Sequence, residues 1–255
     1  MAANARLFDL VLVPDLAFEN IQMTYNILEY CRLNSINQFI FASSHEVYGN
    51  SGKDYRREDE VDISCCESPY TAFKLSGEAL VQVYHRCYGM DCIICRFSNV
   101  YGMYDDSDRV IPLFIKYAGE GRNLTVYGED KILDFTYIDD TVDGIKRCIQ
   151  RFQRAKSNVF NITTGKGVRI VDVAKMIIEQ IGNSSRLLIK KNRTGEVIRF
   201  KADISKAMQL LEYFPKTSIV DGISKTVTWY NQHDSTTPEI ETARISRSKY
   251  ALKCH

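Results

Sequence analysis

The residues best suited to chemistry in this sequence are two serines, a tyrosine and a lysine. Ser43 and Ser44 end a hydrophobic run, and Tyr70 and Lys74 follow Pro69 with helical spacing. Proline is favoured in the first turn of a helix, and residues four apart lie on one helical face. A nearby ammonium lowers the pKa of a phenol, and a serine hydroxyl can hold the same substrate oxygen. We interpret these residues as a proton-transfer site for an alcohol.

The elements that must position these residues are a strand, a loop and a helix. Apolar periodicity predicts a helix over residues 18–34, a strand over residues 38–42 and a second helix over residues 70–88. This order is typical of a doubly wound sheet, in which ligands bind at the carboxyl ends of the strands. The short apolar run of residues 10–13 is interpreted as a strand that precedes them.

The rest of the chain continues this alternation. Further strands are predicted at residues 92–95, 124–128, 133–140 and 158–161, and further helices at residues 110–118, 141–152, 168–181, 205–213 and 219–231. Asp140 is interpreted as the N-cap of the helix that follows it, a structural role, and Gly182 as a helix stop. From residue 233 the pattern is lost, and we expect a mobile or partner-dependent tail over residues 233–255.

Longer strings surround the four reactive residues. Residues 41–49 read FASSHEVYG and residues 68–74 read SPYTAFK. These strings resemble the extended short-chain dehydrogenase/reductase family, which includes the nucleotide-sugar epimerases and dehydratases. The resemblance implies that Ser44, Tyr70 and Lys74 are a catalytic triad, in which the tyrosine removes a proton from a sugar hydroxyl while NAD takes the hydride. It also implies that Ser43 and Phe97 contact the cofactor, together with Tyr70 and Lys74.

Three further strings extend the resemblance to the substrate site. Residues 96–102 read RFSNVYG, residues 193–197 read RTGEV and residues 202–207 read ADISKA. The resemblance implies that Asn99 binds the phosphates or the sugar, and that Arg193 and Glu196 bind the diphosphate and ribose. From the residues alone, Asn99 fits a turn residue that satisfies its own backbone, and Arg193 and Glu196 fit a surface turn.

The sequence departs from the family pattern in two places. Where members carry an arginine for the nucleotide diphosphate, this chain has Leu133, which cannot form a charge-assisted pair. Its first glycine is Gly49, whereas a dinucleotide-binding fold needs glycines directly after its first strand so that the pyrophosphate can reach a helix N-terminus. We therefore expect NAD binding to be weak or partner-dependent, and hypothesise a shortened isoform, a fragment or a degenerate homologue.

The predicted fold is α/β, with a truncated, doubly wound, Rossmann-like parallel sheet and a smaller carboxyl-terminal α+β substrate lobe. We assign residues 1–165 to an incomplete NAD-binding domain that carries the triad. Residues 166–232 are assigned to a nucleotide-sugar-binding lobe, interleaved with parts of residues 100–135. Without the first strands, a sheet edge and apolar helix faces would be uncovered, which favours a homodimer or a heterodimer.

Composition excludes several classes of protein. Lysine and arginine total 33 against 32 acidic residues, so no long-range field favours nucleic acid or an anionic membrane. No apolar run approaches the roughly 20 residues needed to span a bilayer, and no signal-peptide core is visible, so we expect a cytoplasmic protein. Cys92 and Cys95, two of eight cysteines, face opposite sides of a predicted strand, and no second pair accompanies them. We expect no metal site.

The reaction type depends on His45 and Glu46. In the family's 4,6-dehydratases an Asp-Glu pair follows the catalytic hydroxyl, and its two members protonate the leaving hydroxyl at C6 and remove the proton from C5. Glu46 matches the second position and His45 could protonate near neutral pH, so both are candidate catalytic residues. Family decarboxylases add an arginine near the position of Phe200, which counts against decarboxylation.

We therefore rank an NAD-dependent nucleotide-sugar epimerase first, because epimerisation needs only the triad, the hydride carrier and room for a 4-keto sugar to turn over. A 4,6-dehydratase is second and a UDP-glucuronate decarboxylase third. The substrate would be a nucleotide-diphosphate sugar such as a UDP- or dTDP-sugar. A catalytically silent homologue, acting as a binding or regulatory subunit, is the alternative of another class, and Leu133 and the absent glycine loop favour it.

Overall fold

A computed structural model of the chain describes residues 4, 5, 7–53, 55–105 and 107–233. The strands are β1 (Gln38–Ser44), β2 (Asp91–Phe97), β3 (Asn99–Tyr101), β4 (Leu124–Tyr127), β5 (Ile132–Tyr137), β6 (Asn158–Ile162), β7 (Gly167–Arg169) and β8 (Leu187–Lys190). The helices are α1 (Leu7–Leu12), α2 (Pro14–Leu33), α3 (Pro69–Tyr88), α4 (Val110–Gly119), α5 (Ile138–Gln150), α6 (Phe152–Ala155), α7 (Ile170–Ile181), α8 (Ser205–Leu211) and α9 (Ile219–Gln232).

The first group of elements is a parallel sheet with helices on both faces. Its strands lie in the order β1-β2-β6, and Ala42 pairs with Cys95 and Ser44 with Phe97. Helices α2 and α3 bury one face through a cluster that includes Leu28, Phe41, Val81 and Ile94. Helices α5, α6 and α8 cover the other face. The predicted α/β class with a doubly wound parallel sheet is confirmed.

A second group of elements surrounds a mixed sheet. Strand β3 runs parallel to β5, and β7 runs antiparallel to β5. Strands β4 and β8 form a separate parallel pair. Helices α4, α7 and α9 pack against these strands in the largest apolar cluster, which includes Tyr101, Phe114, Phe135 and Ile177. The two sheets meet where β2 passes into β3, so the carboxyl end of β2 faces this second group.

The start of α3 is fixed by local sequence. The Ser68 hydroxyl accepts a hydrogen bond from the Thr71 backbone N–H at 3.2 Å, and Pro69 occupies the first turn. The helix ends at Gly89, which adopts the left-handed conformation at φ +68°. Its predicted bounds are confirmed. Tyr70 and Lys74 therefore project from one face of the first turns.

Gly49 closes the loop after β1. Its φ is +54°, and an added Cβ would lie 1.6 Å from the carbonyl oxygen of Cys65. Any side chain would collide with the backbone of the 3₁₀ turn Ile63–Cys65, so glycine is required here. This close approach holds the loop that carries the residues after Ser44 against the segment that leads to α3.

A buried ion pair links β2 to α3. The Arg96 guanidinium donates to both carboxylate oxygens of Glu78, at 2.9 and 2.7 Å. It also donates to the Tyr48 hydroxyl at 2.9 Å, and that hydroxyl donates to Asn161 at 2.7 Å. Because these polar side chains satisfy one another, they can remain in the core between strands and helix.

The structure corrects four local predictions. Residues 10–13 do not form a strand: Leu10 belongs to α1, which packs on α2 and α3, and four apolar residues alone do not distinguish the two states. The strand predicted at residues 133–140 ends at Tyr137. Asp140 is therefore not an N-cap but lies in the first turn of α5, where its carboxylate accepts the backbone N–H groups of Lys216 and Thr217, both at 2.9 Å. The helix predicted from residue 168 begins at Ile170, after β7.

The other predicted helices and strands agree with the observed bounds to within a few residues. The helix stop at Gly182 is confirmed, with φ +76°. Cys95 lies 3.6 Å from Cys148, sulfur to sulfur, and both are buried. Residues 234–255 of the predicted tail lie outside the described residues. Among the residues that the structure describes, no helix is long and apolar enough to cross a membrane. No group of acidic, histidine or cysteine side chains in the same described residues is arranged to hold a metal ion.

Candidate active site

A cavity of about 450 Å³ opens where the carboxyl ends of β1 and β2 face the second group of elements. It gathers seven of the residues singled out from the sequence: Ser44, His45, Glu46, Tyr70, Asn99, Arg193 and Glu196. A second cavity of similar volume, about 440 Å³, lies beside the other end of β2 and contains none of them. The first cavity is thus the candidate active site.

Three predicted residues lie behind the cavity wall. The Ser43 hydroxyl donates to Glu78 at 2.5 Å and joins the buried ion pair. The Lys74 ammonium donates to the carbonyl of Ala42 at 2.8 Å. Phe97 contributes its backbone carbonyl, which lies 3.3 Å from Nδ1 of His45. These residues support the site from beneath.

The Ser44 hydroxyl lies beside the Tyr70 phenol at the cavity floor. Burial raises the pKa of Tyr70 to about 12, and the nearby Glu46 adds to this effect. The polar side chain of Ser44 and the positive charge of Arg109 act on this pKa in the opposite direction. The phenol is therefore protonated at neutral pH, and a positive charge brought near it would make it a better base.

Lys74 lies one helical turn from Tyr70. Its ammonium is 5.7 Å from the centroid of the Tyr70 ring and 5.4 Å from that of Phe41. Burial lowers the pKa of Lys74 to about 8, and the Glu78 carboxylate partly opposes this shift. The lysine thus remains mostly charged at neutral pH and keeps a positive charge close to the phenol.

His45 is held as a neutral imidazole. Because a carbonyl oxygen only accepts, Nδ1 donates to Phe97 and Nε2 is left without a proton. The ring lies 4.6 Å from the ring of Phe200, centroid to centroid. Burial lowers the pKa of His45 to about 4, and the charge of Lys131 contributes. The expectation that His45 protonates near neutral pH is therefore wrong, because the ring is enclosed.

Glu46 faces its neighbour across a short gap. Its Oε1 lies 3.4 Å from Nε2 of His45, and its buried Oε2 has no hydrogen-bond partner. Burial raises the pKa of Glu46 to about 8, with repulsion from Glu196 and Glu67 adding to the effect and Lys131 opposing it. At neutral pH this carboxyl carries a proton, so it can donate rather than accept.

Lys131 is a site residue that the sequence did not indicate. Its side chain is 6% exposed, and its ammonium lies 2.5 Å from Oε2 of Glu196. It sits in the turn after β4, where a lysine among acidic residues resembles any solvated turn. Arg109, the residue before α4, was missed for the same reason, since no motif marks it.

Arg193 stands over an aromatic ring at the far side of the cavity. Its guanidinium carbon lies 3.8 Å from the centroid of the Tyr127 ring, and its hydrogen bond lowers the pKa of that phenol. Asn99 donates to the backbone carbonyl of Asp134 at 3.2 Å while still lining the cavity. Leu133 lines the same wall and is 6% exposed, so the wall is apolar where the family pattern has an arginine.

The amino-terminal segment forms one wall of the cavity, through Ala5 and through Asp9 of α1. The segment is held by side chains: the Asn4 backbone N–H donates to Asn20 Oδ1 at 2.8 Å, and Asn20 Nδ2 donates back to the Asn4 carbonyl at 2.9 Å. Gly195, at φ +83°, allows the close approach of α1, because an added Cβ would lie 2.9 Å from a methyl of Val11. The amino-terminal helix thus borders the site directly.

The model of the family described as the NAD dependent epimerase/dehydratase family matches residues 13–163. The chain belongs to this family. The match spans β1, α3 and β2, which carry the Ser44, Tyr70 and Lys74 arrangement. The family resemblance inferred from the sequence strings is confirmed.

Several nucleotide-sugar epimerases are similar to this chain over most of its length. An uncharacterized UDP-glucose epimerase of Bacillus subtilis is 35% identical over 84% of this chain and 66% of its own length. The UDP-glucuronic acid 4-epimerase of Bacillus cereus, solved with UDP-glucuronic acid and NAD, is 33% identical, with a TM-score of 0.79 over 84% of this chain and 68% of that one. The UDP-glucose 4-epimerase of Thermotoga maritima, solved with UDP-glucose, has a TM-score of 0.83 at 28% identity, over 92% of this chain and 77% of that one.

The chain spans somewhat less than two thirds of the length of the first curated relatives it matches, 63% and 66%. The likeness to solved structures confirms the Rossmann-like parallel sheet.

Proposed function

We propose that this chain is a nucleotide-sugar epimerase-like protein that works with NAD, oxidising the sugar at C4 to a 4-keto intermediate and reducing it again. The observation that carries the proposal is that Ser44 and Tyr70 lie side by side on the floor of a cavity whose far side presents Arg193. One end offers proton transfer, and the other offers a cation for phosphate.

Three residues of the chain have separate roles in proton transfer. The Ser44 hydroxyl holds the sugar hydroxyl beside the phenol, and Tyr70 accepts its proton at the phenol oxygen. The Lys74 ammonium, fixed on the Ala42 carbonyl at 2.8 Å, stabilises the phenolate from which this step starts, and uptake of the proton converts that phenolate to the phenol. On the return step the same phenol gives the proton back, so the cycle leaves the protein unchanged.

The residues present fit NAD at its reacting end. Tyr70 and Lys74 stand on one helical face next to Ser44, which suits a nicotinamide and a sugar lying side by side. When bound, NAD would take a hydride from the sugar carbon and later return it. The fit is poorer for the pyrophosphate, because no glycine precedes Gly49 to let the backbone approach closely. We therefore propose that binding of NAD by this chain is weak or depends on a partner.

The substrate we propose is a UDP- or dTDP-sugar. Arg193, stacked on Tyr127, presents a planar fork that suits a diphosphate. Asn99 and Glu196 line the wall between this end and the floor, within the same cavity. The likeness to the epimerases of Bacillus cereus and Thermotoga maritima, solved with UDP-linked ligands, supports this class.

A 4,6-dehydratase is the second candidate, because His45 and Glu46 both face the cavity. A protonated Glu46 beside a neutral His45 provides one donor and one acceptor. Decarboxylation is disfavoured, since buried Phe200 packs on His45 where that reaction's arginine is expected. Leu133 supports the other class of candidate, a silent subunit that binds a nucleotide sugar or a homologue.

We also propose that the chain associates with a second copy or with a longer homologue, in the cytoplasm. Helix α2 exposes a series of large apolar side chains: Phe18, Tyr25, Ile27, Tyr30 and Leu33. Strand β1 is an edge of the described sheet. All cysteines of the described residues are free thiols, which suits a reducing compartment.

Calorimetric titration of the purified chain tests the proposal, first with UDP, then with NAD⁺ in the presence and absence of UDP-glucose or UDP-glucuronate. We expect UDP to bind, NAD⁺ to bind more weakly, and the 4-epimer to form when both ligands are present. Binding of UDP without product, even with a full-length homologue added, would support the silent subunit. Absence of UDP binding at millimolar concentration would overturn the assignment to nucleotide sugars.

A further inference from the structure

Four charged or titratable side chains form a cluster in the cavity that Ser44 and Tyr70 line. They are His45 and Glu46 after β1, Lys131 before β5, and Glu196 in the segment after β8. All four line the cavity. Elements that are distant in sequence therefore bring one ammonium, two carboxyl groups and an imidazole to one cavity, where the ammonium contacts Glu196.

Two atoms of this cluster are buried without hydrogen-bond partners. Nε2 of His45 and Oε2 of Glu46 have none, although their side chains are only 5% and 15% exposed. Unpartnered buried polar atoms are costly unless a ligand satisfies them. The carboxyl and the imidazole approach each other through Oε1 and Nε2, at 3.4 Å, so a small closing movement would bring them to the distance needed for proton transfer.

Lys131 is the one ammonium of the cluster, and its place is fixed. Oε2 of Glu196 holds it at 2.5 Å, and its side chain is 6% exposed. Buried charges interact strongly, because little water screens them. Its charge acts on both His45 and Glu46 and disfavours a proton on either.

We propose that Lys131, anchored by Glu196, is a positioning residue that determines how the proton is held between His45 and Glu46. The catalytic meaning of this role rests on the proposed function, because the pair stands where a sugar hydroxyl would lie beside Tyr70. Lys131 adds to the larger effect of burial in keeping the imidazole neutral, so that Nε2 accepts. It also keeps the Glu46 carboxyl able to lose its proton, which the burial of that group alone would prevent.

Other groups that face Glu46 also affect how readily its carboxyl loses a proton. Glu67, which precedes α3, and Glu196 repel its negative form, whereas the nearby Val197 backbone N–H favours it. Tyr70 faces it from α3, and the charge of Glu46 is felt at that phenol. Lys131 is the cation among these groups that acts on Glu46, so the readiness of the Glu46 carboxyl to lose its proton depends on Lys131.

The proton movement is balanced within the pair. Glu46 gives the proton on its carboxyl to a substrate oxygen, and His45 takes one from a substrate hydroxyl at Nε2. The imidazolium then returns its proton to the carboxylate across the 3.4 Å gap, and the starting state is restored. No further reactant is needed.

The test uses the chain without cofactor or substrate. The infrared carbonyl band of a protonated carboxyl is titrated in the wild-type chain and in Glu46→Gln, and the difference isolates Glu46. We expect the midpoint near pH 8 in the wild type. In Lys131→Met it should rise by about one pH unit, because an attractive charge is lost. In Glu196→Gln it should fall, because a repulsive charge is lost and Lys131 remains.

Lys131→Arg should restore the wild-type midpoint, since the charge is kept. The matched control is Lys53→Met, which removes an exposed lysine also paired with a glutamate, Glu60, at 2.8 Å, and should change nothing. The ¹⁵N resonance of His45 gives a second readout: its titration should move to higher pH in Lys131→Met.

An unchanged or lowered Glu46 midpoint in Lys131→Met would overturn the proposal. So would parallel shifts in Lys131→Met and Glu196→Gln, which would indicate a general loosening of the cavity. Failure of the proposed function is separate: it would appear as absence of epimerised product in a wild-type chain whose titration follows the pattern above.

Discussion

The Ser44 side chain lies beside the Tyr70 phenol in one cavity, although Ser44 ends β1 and Tyr70 stands in the first turn of α3. The contact depends on the loop between them, which Gly49 closes against the Cys65 carbonyl. It also depends on the cap at Ser68, which fixes where α3 starts. Proton-transfer geometry is thus set by backbone features on both sides of the loop.

Tyr70→Phe should abolish turnover while leaving ligand binding nearly intact. The variant removes only the phenol oxygen, and loss of a general acid–base group costs about 10² to 10⁴ in rate. Epimer formation and the affinity for UDP should be measured together. Tyr25→Phe, at an exposed position on α2, is the control and should retain activity. Equal turnover in both variants would remove Tyr70 from the mechanism.

Glu46→Gln should change how stability depends on pH. A carboxyl whose pKa is raised from 4.5 to about 8 on folding contributes stability at low pH that is lost as pH rises through about 8. The lowered pKa of His45 makes stability rise with pH below pH 6.5, and the lowered pKa of Lys74 does the same above pH 8, so both oppose the effect of Glu46 in those ranges. Between these values the wild type should lose about 1 kcal/mol of unfolding free energy per pH unit, and the variant much less.

Urea unfolding at several pH values between 6.5 and 8 measures this slope. The matched control is Glu179→Gln on the exposed face of α7, which should follow the wild type. A wild-type curve that is flat in this range would show that Glu46 is ionised throughout it.

Arg193→Ala should weaken UDP binding about tenfold or more, because a charge-assisted hydrogen bond to phosphate is lost. Arg193→Lys should recover part of the affinity, since the charge remains but the planar stack on Tyr127 does not. Calorimetry with UDP alone avoids any dependence on NAD. Arg57→Ala, at a side chain that is 64% exposed and outside the cavity, is the comparison variant. If both alanine variants bind alike, the diphosphate lies elsewhere.

Arg96→Met should destabilise the fold by about 3 to 5 kcal/mol, because Glu78 would be left buried without its cation. Both side chains are 5% exposed or less. Replacing both, by Arg96→Met and Glu78→Leu, should recover part of this loss. Lys53→Met breaks an exposed pair and should cost less than about 1 kcal/mol. Comparable losses for the buried and exposed pairs would contradict this account.

Much of the fold near the site could be predicted from the sequence, because its signals are local. Pro69 marks the start of α3, and apolar runs mark β1 and β2. Residues 10–13 were misassigned because four apolar residues fit a helix as well as a strand. The mistake at Asp140 has a similar origin: the carboxylate caps no helix, but accepts backbone N–H groups from residues far along the chain.

The site was predictable where residue type and spacing carry the chemistry, as for Tyr70 and Lys74. Lys131 was not, because its role comes from Glu196, which is brought to it only by folding. The protonation of His45 was not predictable either. An enclosed ring beside Phe200 has a lowered pKa, and enclosure is a property of the folded chain.

The cavity wall supplied by α1 links ligand contact to local opening. This helix has six residues, and the Asn4 backbone that precedes it is held by two hydrogen bonds to the Asn20 side chain, not by a sheet. Such a segment opens at a smaller free energy than the core strands. A molecule that fills the cavity against Asp9 would slow amide hydrogen exchange in α1 before any change in β1 or β2. Amide hydrogen exchange in the amino-terminal helix therefore reports whether the cavity holds a ligand, even when no reaction takes place.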